Sequence, residues 1–303
     1  MINCTYNNRF LFLKWNIYVI IRKEGDFLKK VAVINDLSGF GKCSLTAAIP
    51  VLSVQGVQAC PLPTAVLSNQ TGYEEYYCRD LTESMPGFIK NWQKLGAEFD
   101  GILTGFISSE KQIDIIKDFC RTFRKKDTLL LVDPVMADNG EVYPTFSPSL
   151  CEKITALALS ADIITPNLTE YALIAGIDFA EIEKNLYSES LLALLKESAK
   201  SVLSEGVKYI IVTGVRIYEG QISNCIISAQ GIQTVSAESF HGSFSGTGDI
   251  FASIVCGETV KGSDIFTAVS KAVKFIEIAL KATVTECTRT EDGICFEPFL
   301  KLL

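Results

Sequence analysis

From Lys30 onward the chain alternates short apolar runs with longer stretches in which apolar residues return every three or four positions. The short runs predict strands at Val31 to Asn35, Gln58 to Leu62, Gly101 to Gly105, Leu129 to Asp133, Asp162 to Thr165 and Tyr209 to Thr213. Continuous hydrophobicity within such runs marks strands buried on both faces, as in a parallel sheet covered by helices. The longer stretches predict helices at Ser44 to Ser53, Gln112 to Arg124, Ser149 to Ser160 and Leu191 to Leu203, with a closing pair at Asp249 to Thr259 and Ile265 to Leu280. Between Val215 and Phe240 the rhythm changes, because Gly220 and Gly231 punctuate β-prone segments; antiparallel strands are expected there, at one edge of the sheet. The expected class is α/β: a mostly parallel central sheet with helices on both faces. No linker or repeat divides residues 30–303, which read as one domain.

Residues 1–29 stand apart as an N-terminal extension. Phe10 to Ile21 is apolar, but Lys14 interrupts it, about 20 unbroken apolar residues are needed to span a bilayer, and no small-residue cleavage site follows. Neither anchoring nor export is expected. Lys23-Glu24-Gly25 can be encoded by a ribosome-binding purine run and Leu28 by an alternative start codon, so residues 1–27 also admit a reading as translated upstream sequence. Ten cysteines without CxxC or CxxxC spacing fit buried thiols in a reducing compartment better than a disulfide frame or a metal cluster. A net charge of -7 with no block of Lys or Arg argues against binding nucleic acid, which needs clustered positive charge. A cytoplasmic protein with a small-molecule partner, no nucleic acid and no membrane is expected.

Ligands of open α/β sheets bind outside the carboxyl ends of the strands. That rule gathers Asn35-Asp36, Thr104-Gly105, Asp133-Pro134, Thr165-Pro166-Asn167 and Thr213-Gly214 at one crevice. The most informative segment is Phe244-Ser245-Gly246-Thr247-Gly248-Asp249, followed by the apolar stretch Ile250 to Val255. Two glycines at a helix start let backbone N–H groups point together, and with the helix dipole they make an anion site that suits phosphate. Asp249 then has two readings, as a helix cap or as a base that takes a proton from a hydroxyl beside a phosphoryl group in transfer.

These motifs together resemble the ribokinase-like small-molecule kinases and, among them, the pyridoxal (vitamin B6) kinases, over about Val31 to the C-terminal helices. GTGDIFAS (Gly246 to Ser253) looks like the family's anion hole and catalytic aspartate. ADIITPNLTE (Ala161 to Glu170) looks like its nucleotide-side and metal motif, LVDPVMAD (Leu131 to Asp138) like its phosphate-proximal loop, LSNQTGYE (Leu67 to Glu74) like its substrate-side loop, and LTGF (Leu103 to Phe106) like its strand-end turn. The resemblance implies Asp249 as base, with Gly246, Thr247 and Gly248 as anion hole. It implies Asp133, Asp138, Thr165, Asn167 and Thr213 on the ATP side, with Glu170, Asn167 and Asp133 near magnesium. Asp36, Ser38, Asn69, Thr71 and Phe106 fall on the substrate side, with Phe40 as an alternative to Phe106 for the ring. ATP, Mg2+, an optional monovalent cation and a homodimer are what the family leads one to expect. Asn167 as a helix cap and Asp133 as a turn residue stay open as simpler readings.

One departure bears on the substrate. Asp36 opens DLSGFG (Asp36 to Gly41) where the better-known pyridoxal kinases carry serine, and this form looks more like hydroxymethylpyrimidine kinases. Phosphorylation of the 5'-hydroxymethyl group of pyridoxal, pyridoxine or pyridoxamine is the expected activity. A hydroxymethylpyrimidine kinase is the nearest alternative, and a non-catalytic vitamin-binding or regulatory module the alternative of another class. Two rivals weigh less. Gly39-Phe40-Gly41-Lys42-Cys43-Ser44 resembles part of a P-loop, but Asp36 stands where glycine is required and Cys43 where Ser or Thr is. His241, the single histidine, adjoins the glycine turn but lies farther from the anion donors than Asp249.

Overall fold

The structure is a computed structural model and describes residues 28–240, 242, 244–286 and 289–303. Residues 1–27, and with them the expectations for the N-terminal extension, lie outside the described residues, as does His241.

The order along the chain is β1 (Lys30–Ser38), α1 (Ser44–Val54), β2 (Gln58–Leu67), β3 (Cys78–Asp80), α2 (Met85–Lys94), β4 (Gly101–Thr104), α3 (Glu110–Phe123) and β5 (Leu129–Val132). The short hairpin of β6 (Ala137–Asp138) and β7 (Glu141–Val142) follows, then α4 (Pro148–Ala158), β8 (Ile163–Ile164), α5 (Leu168–Ala175), α6 (Phe179–Asn185), α7 (Ser190–Ser204) and β9 (Tyr209–Val215). Strands β10 (Gln221–Ser228) and β11 (Gly231–Glu238) and helices α8 (Thr247–Val260) and α9 (Ile265–Thr285) complete it. Nine strands form one sheet in the order β11-β10-β9-β8-β5-β4-β1-β2-β3. The strands from β2 to β9 in that order run parallel. This is the expected α/β architecture, a mostly parallel sheet with helices on both faces.

Alternate residues of each central strand feed two cores. Val31 and Val33 of β1 with Leu103 and Leu131 pack against α1, α8 and α9 on one face. Ala32 and Ile34 with Ile102, Leu130 and Val132 pack against α3, α4, α5 and α7 on the other. Both faces being covered, the strands read as unbroken apolar runs. Helix α3 shows the complementary pattern: Ile113, Ile116, Phe119 and Phe123 are buried on one stripe, and the Ser109 side chain caps its start by accepting from Gln112 N.

The antiparallel edge at β9, β10 and β11 matches expectation, and a second antiparallel strand, β3, covers the opposite edge. Strand β2 carries Pro61 within its predicted span and runs five residues past its predicted end, through Pro63. Gln58 N donates to Lys29 O on the β1 side, so by the period of two the proline nitrogens face away from β1, and β3 pairs only from Ala65 onward. A missing N–H costs nothing in that position. Helices α2 and α6 were not legible: α2 buries only Met85 and α6 only Ile182, too few positions to set up a period. The eight described cysteines are free thiols, of which Cys43, Cys151, Cys225 and Cys256 are buried and Cys78 is exposed, so the expectation of buried thiols holds for half of them. No helix among the described residues is long and apolar enough to cross a membrane.

Candidate active site

From β1 the chain passes through α1 to β2 on one side, then returns to β4 on the other. Strands β1 and β4 are paired to their carboxyl ends, but the connections leaving those ends run to opposite sides, and that switch point opens the crevice in which open α/β sheets bind ligands. Helix α8 starts over it.

Gly246 caps α8 with φ of 79°, a left-handed conformation that glycine adopts without strain. Space forbids anything else there, since a Cβ at Gly246 would come within 1.9 Å of Lys42 O. This close approach seats the start of α8 on the turn before α1. The first-turn N–H groups of a helix have no intrahelical partner, and here they belong to the Gly246–Asp249 turn. Asp249, in that turn, is half-buried; Asn35 Nδ2 donates to its Oδ1 at 2.8 Å, and Ser44 N–H also donates to its carboxylate. Burial raises its pKa to about 6, helped by the charge of Asp36 and opposed by the bonds from Ser44 and Asn35. Asn35 uses the other end of its carboxamide as well, its Oδ1 accepting from Asp36 N at 2.9 Å and Phe106 N at 2.8 Å.

Asp133, at the end of β5, meets the same turn: a Cβ on Gly248 would stand 3.6 Å from its Oδ2. Thr165 Oγ1 donates to its Oδ1 at 2.8 Å. Burial, followed by the charge of Asp249, pushes it to about 7. Asp133, Asp249, Asn35, Thr104, Gly105 and Ser253 share the lining of one small pocket beneath the turn. Three of the five strand ends predicted to converge line it, together with the start of α8.

The remaining nucleotide-side residues are more heavily committed to the backbone. Asn167 caps α5, its Oδ1 accepting from Thr169 N and Glu170 N and its Nδ2 donating to Ala137 O at 2.7 Å; the simpler reading of this residue describes its geometry. Glu170 completes the capping box by accepting from Asn167 N at 2.9 Å, and accepts from Met136 N at 3.1 Å as well. Burial and the nearby Asp133 raise its pKa. The Asp138 carboxylate accepts from Asn139 N and Nδ2 in the β6–β7 turn, and Thr213 N donates to Pro166 O beside Asn167. Among the described residues no group of three or more His, Cys, Asp or Glu is close enough to hold a metal by itself. Such a sparse set fits a magnesium ion carried in by polyphosphate and water, with Asp133 as the carboxylate that meets the Gly246–Asp249 turn from β5.

On the substrate side Asp36 is buried, accepts from Ser38 Oγ at 2.8 Å, and has its pKa raised by burial. Asn69 and Phe40 line an open cavity of about 460 Å³ with Tyr73, Glu74 and Glu75. Phe40 is 61% exposed and meets Tyr73 edge to face at 5.9 Å, while the Tyr73 hydroxyl donates to Asp292. Phe106 instead packs its ring on Phe146 and the core, so of the two aromatic candidates Phe40 presents its face. Asn69 Nδ2 donates to Glu75 O at 2.9 Å, bracing the loop. Thr71 sits exposed in that loop. In the rival P-loop segment, Lys42 Nζ pairs with Glu297 at 3.1 Å and turns toward the C-terminal segment. Asn35 and Tyr73 lie inside segments the sequence singled out, a strand end and the Leu67 to Glu74 loop, but neither was given a role, because nothing local tied Asn35 to Asp249 or Tyr73 to Asp292.

The chain matches the phosphomethylpyrimidine kinase family over residues 43–291. It is 26% identical over 264 residues to a pyridoxal kinase of Leifsonia xyli, covering 84% of this chain and 89% of that protein. It is 25% identical over 254 residues to a hydroxymethylpyrimidine/phosphomethylpyrimidine kinase of Staphylococcus aureus, covering 83% of each. A Bacteroides thetaiotaomicron protein with a provisional phosphomethylpyrimidine kinase name, solved in a crystal form with pyridoxal, superposes with a TM-score of 0.84 at 36% identity, over 90% of this chain and 95% of that one.

Proposed function

The chain belongs to the phosphomethylpyrimidine kinase family, and from that premise we propose that it transfers the γ-phosphoryl group of ATP to the hydroxymethyl group of a B6 vitamer. The observation that carries this reading is the half-buried Asp249 carboxylate, oriented by Asn35 at 2.8 Å in the first turn of a helix that opens on Gly246. Asp249 takes the proton of the acceptor hydroxyl as its oxygen forms the bond to phosphorus and the bond to the ADP oxygen breaks. The N–H groups of Gly246, Thr247 and Gly248 stabilise the negative charge on the moving phosphoryl group. Asp133, which Thr165 holds in place, would help to hold a magnesium ion, and that ion would supply neutralisation of the polyphosphate charge. Asn167, Glu170, Asp138 and Thr213 shape the nucleotide side from behind by fixing the β6–β7 hairpin and the start of α5. The vitamer ring lies against Phe40, with Asp36, Ser38, Asn69 and Thr71 on its polar edge and Phe106 closing the crevice floor.

Asp36 favours a second reading, a hydroxymethylpyrimidine kinase, because a buried carboxylate accepts hydrogen bonds from an amino group or ring N–H better than serine does. ATP consumption by the purified protein, run side by side on pyridoxal, pyridoxine, pyridoxamine and hydroxymethylpyrimidine, separates the two. The expected result is the highest kcat/KM on a B6 vitamer. A hydroxymethylpyrimidine preference supports the second reading, and no turnover on any of the four refutes both.

A further inference from the structure

Two fully buried hydroxyls beneath Asp249, Thr104 Oγ1 and Ser253 Oγ, have no hydrogen-bond partner among the described residues. A buried hydroxyl left unpaired costs about 1–3 kcal/mol, and two facing one pocket call for an explanation. Ser253 lies one turn along α8 from Asp249. It does not take the bond back to the carbonyl four residues earlier that Thr259, on the same helix, makes to Val255 O at 2.7 Å. Thr104 ends β4 on the opposite wall. Both line the pocket shared with Asn35, Asp133 and Asp249, whose volume is about 10 Å³. That is the space of a single water, which needs two to four polar partners. A third such atom, Gln55 Oε1, is not part of this lining; its amide Nε2 donates to Val51 O and Ser253 O at the back of the same helical turn.

We propose that this pocket binds one water molecule, held by the hydroxyls of Thr104 and Ser253, which hydrogen-bonds the Asp249 carboxylate and positions it for the acceptor alcohol. The inference rests on Asp249 acting as base. Asn35 and Ser44 fix the carboxylate from the β1 and α1 sides, and the water fixes it from the side of β4 and its own helix. Thr104 and Ser253 are thus positioning residues that act through the water.

The test combines a crystal structure at a resolution that orders single waters with steady-state kinetics of Thr104→Val, Ser253→Ala and the double variant. A water within hydrogen-bond distance of both hydroxyls and of Asp249 is expected; no density there, or density that refines as a metal cation, overturns the proposal. Each single variant should lower kcat about five- to twentyfold with KM within about twofold. The double variant should be no slower than the worse single, because the same water is lost, and Thr104→Ser should recover most of the loss. With no bound water, deleting an unpaired buried hydroxyl would raise Tm, so variants with raised Tm and unchanged kcat overturn the inference. If Asp249→Asn itself keeps full turnover, the base assignment fails instead, whether or not the water is seen.

Discussion

Asn35 holds three parts of the site with one carboxamide, donating to Asp249 and accepting from the backbones of Asp36 and Phe106. Asn35→Ala frees the Asp249 carboxylate to rotate and leaves two N–H groups unpaired. A fall of about 10- to 100-fold in kcat is expected, with a smaller change in KM and a lowered Tm; steady-state assays and thermal unfolding check it. Asp249 also sets a pH dependence. Its pKa lies near 6, above the ordinary 3.8, because burial disfavours the ionised form. A base works only when deprotonated, so kcat/KM should rise with pH through about 6 and level off above about 7. The same shift acts on stability with the opposite sign: the raised value favours folding most below about 4, and this benefit is lost as pH climbs through about 6. A pH–rate profile flat from about 5 to 8 would exclude Asp249 as the titrating base. At this scale the sequence was partly legible. Asp249 could be read because its anion donors are its immediate neighbours, whereas the role of Asn35 could not, its partner lying 214 positions away.

Helix α8 turns an element boundary into chemistry. Its start is fixed by the contact of Gly246 with the turn before α1, a contact made possible by the missing side chain. Gly246→Ala would drive a methyl group into Lys42 O and force the starts of α1 and α8 apart. Turnover should drop by more than about 100-fold, with a loss of about 2–4 kcal/mol of stability, measurable by denaturant unfolding. Helix α5 illustrates the opposite case. Asn167 and Glu170 are three apart, as both a capping box and a metal-side pair require, and sequence alone leaves the choice open. Their hydrogen bonds form the capping box, and the same two side chains tie the β6–β7 hairpin to the start of α5 through Met136 N and Ala137 O. The long, periodic elements were readable because each buries a full stripe. Helices α2 and α6 bury one residue apiece and gave no such signal, and the hairpin of two-residue strands is set by tertiary partners rather than by its own pattern.

The molecule as a whole brings the ends of β1, β4 and β5 and the start of α8 to one switch point, between two apolar layers that clamp the sheet from both sides. The parallel order was legible because unbroken apolar strands separated by helices have few other solutions. What patterning could not supply was the pairing across the crevice, which depends on where β4 returns beside β1. The expected substrate side is the least determined by pattern, because its loop from Ser68 to Tyr77 is braced by bonds within itself and to Glu291 and Asp292 rather than by the core. In the proposed mechanism catalysis depends on this whole arrangement through one group. The most direct measurement is kcat of Asp249→Asn against the unaltered protein at saturating ATP and vitamer, with vitamer binding measured on the same preparations. A loss of about 10²- to 10⁴-fold with binding retained within a few-fold is expected; turnover equal to that of the unaltered protein would contradict it.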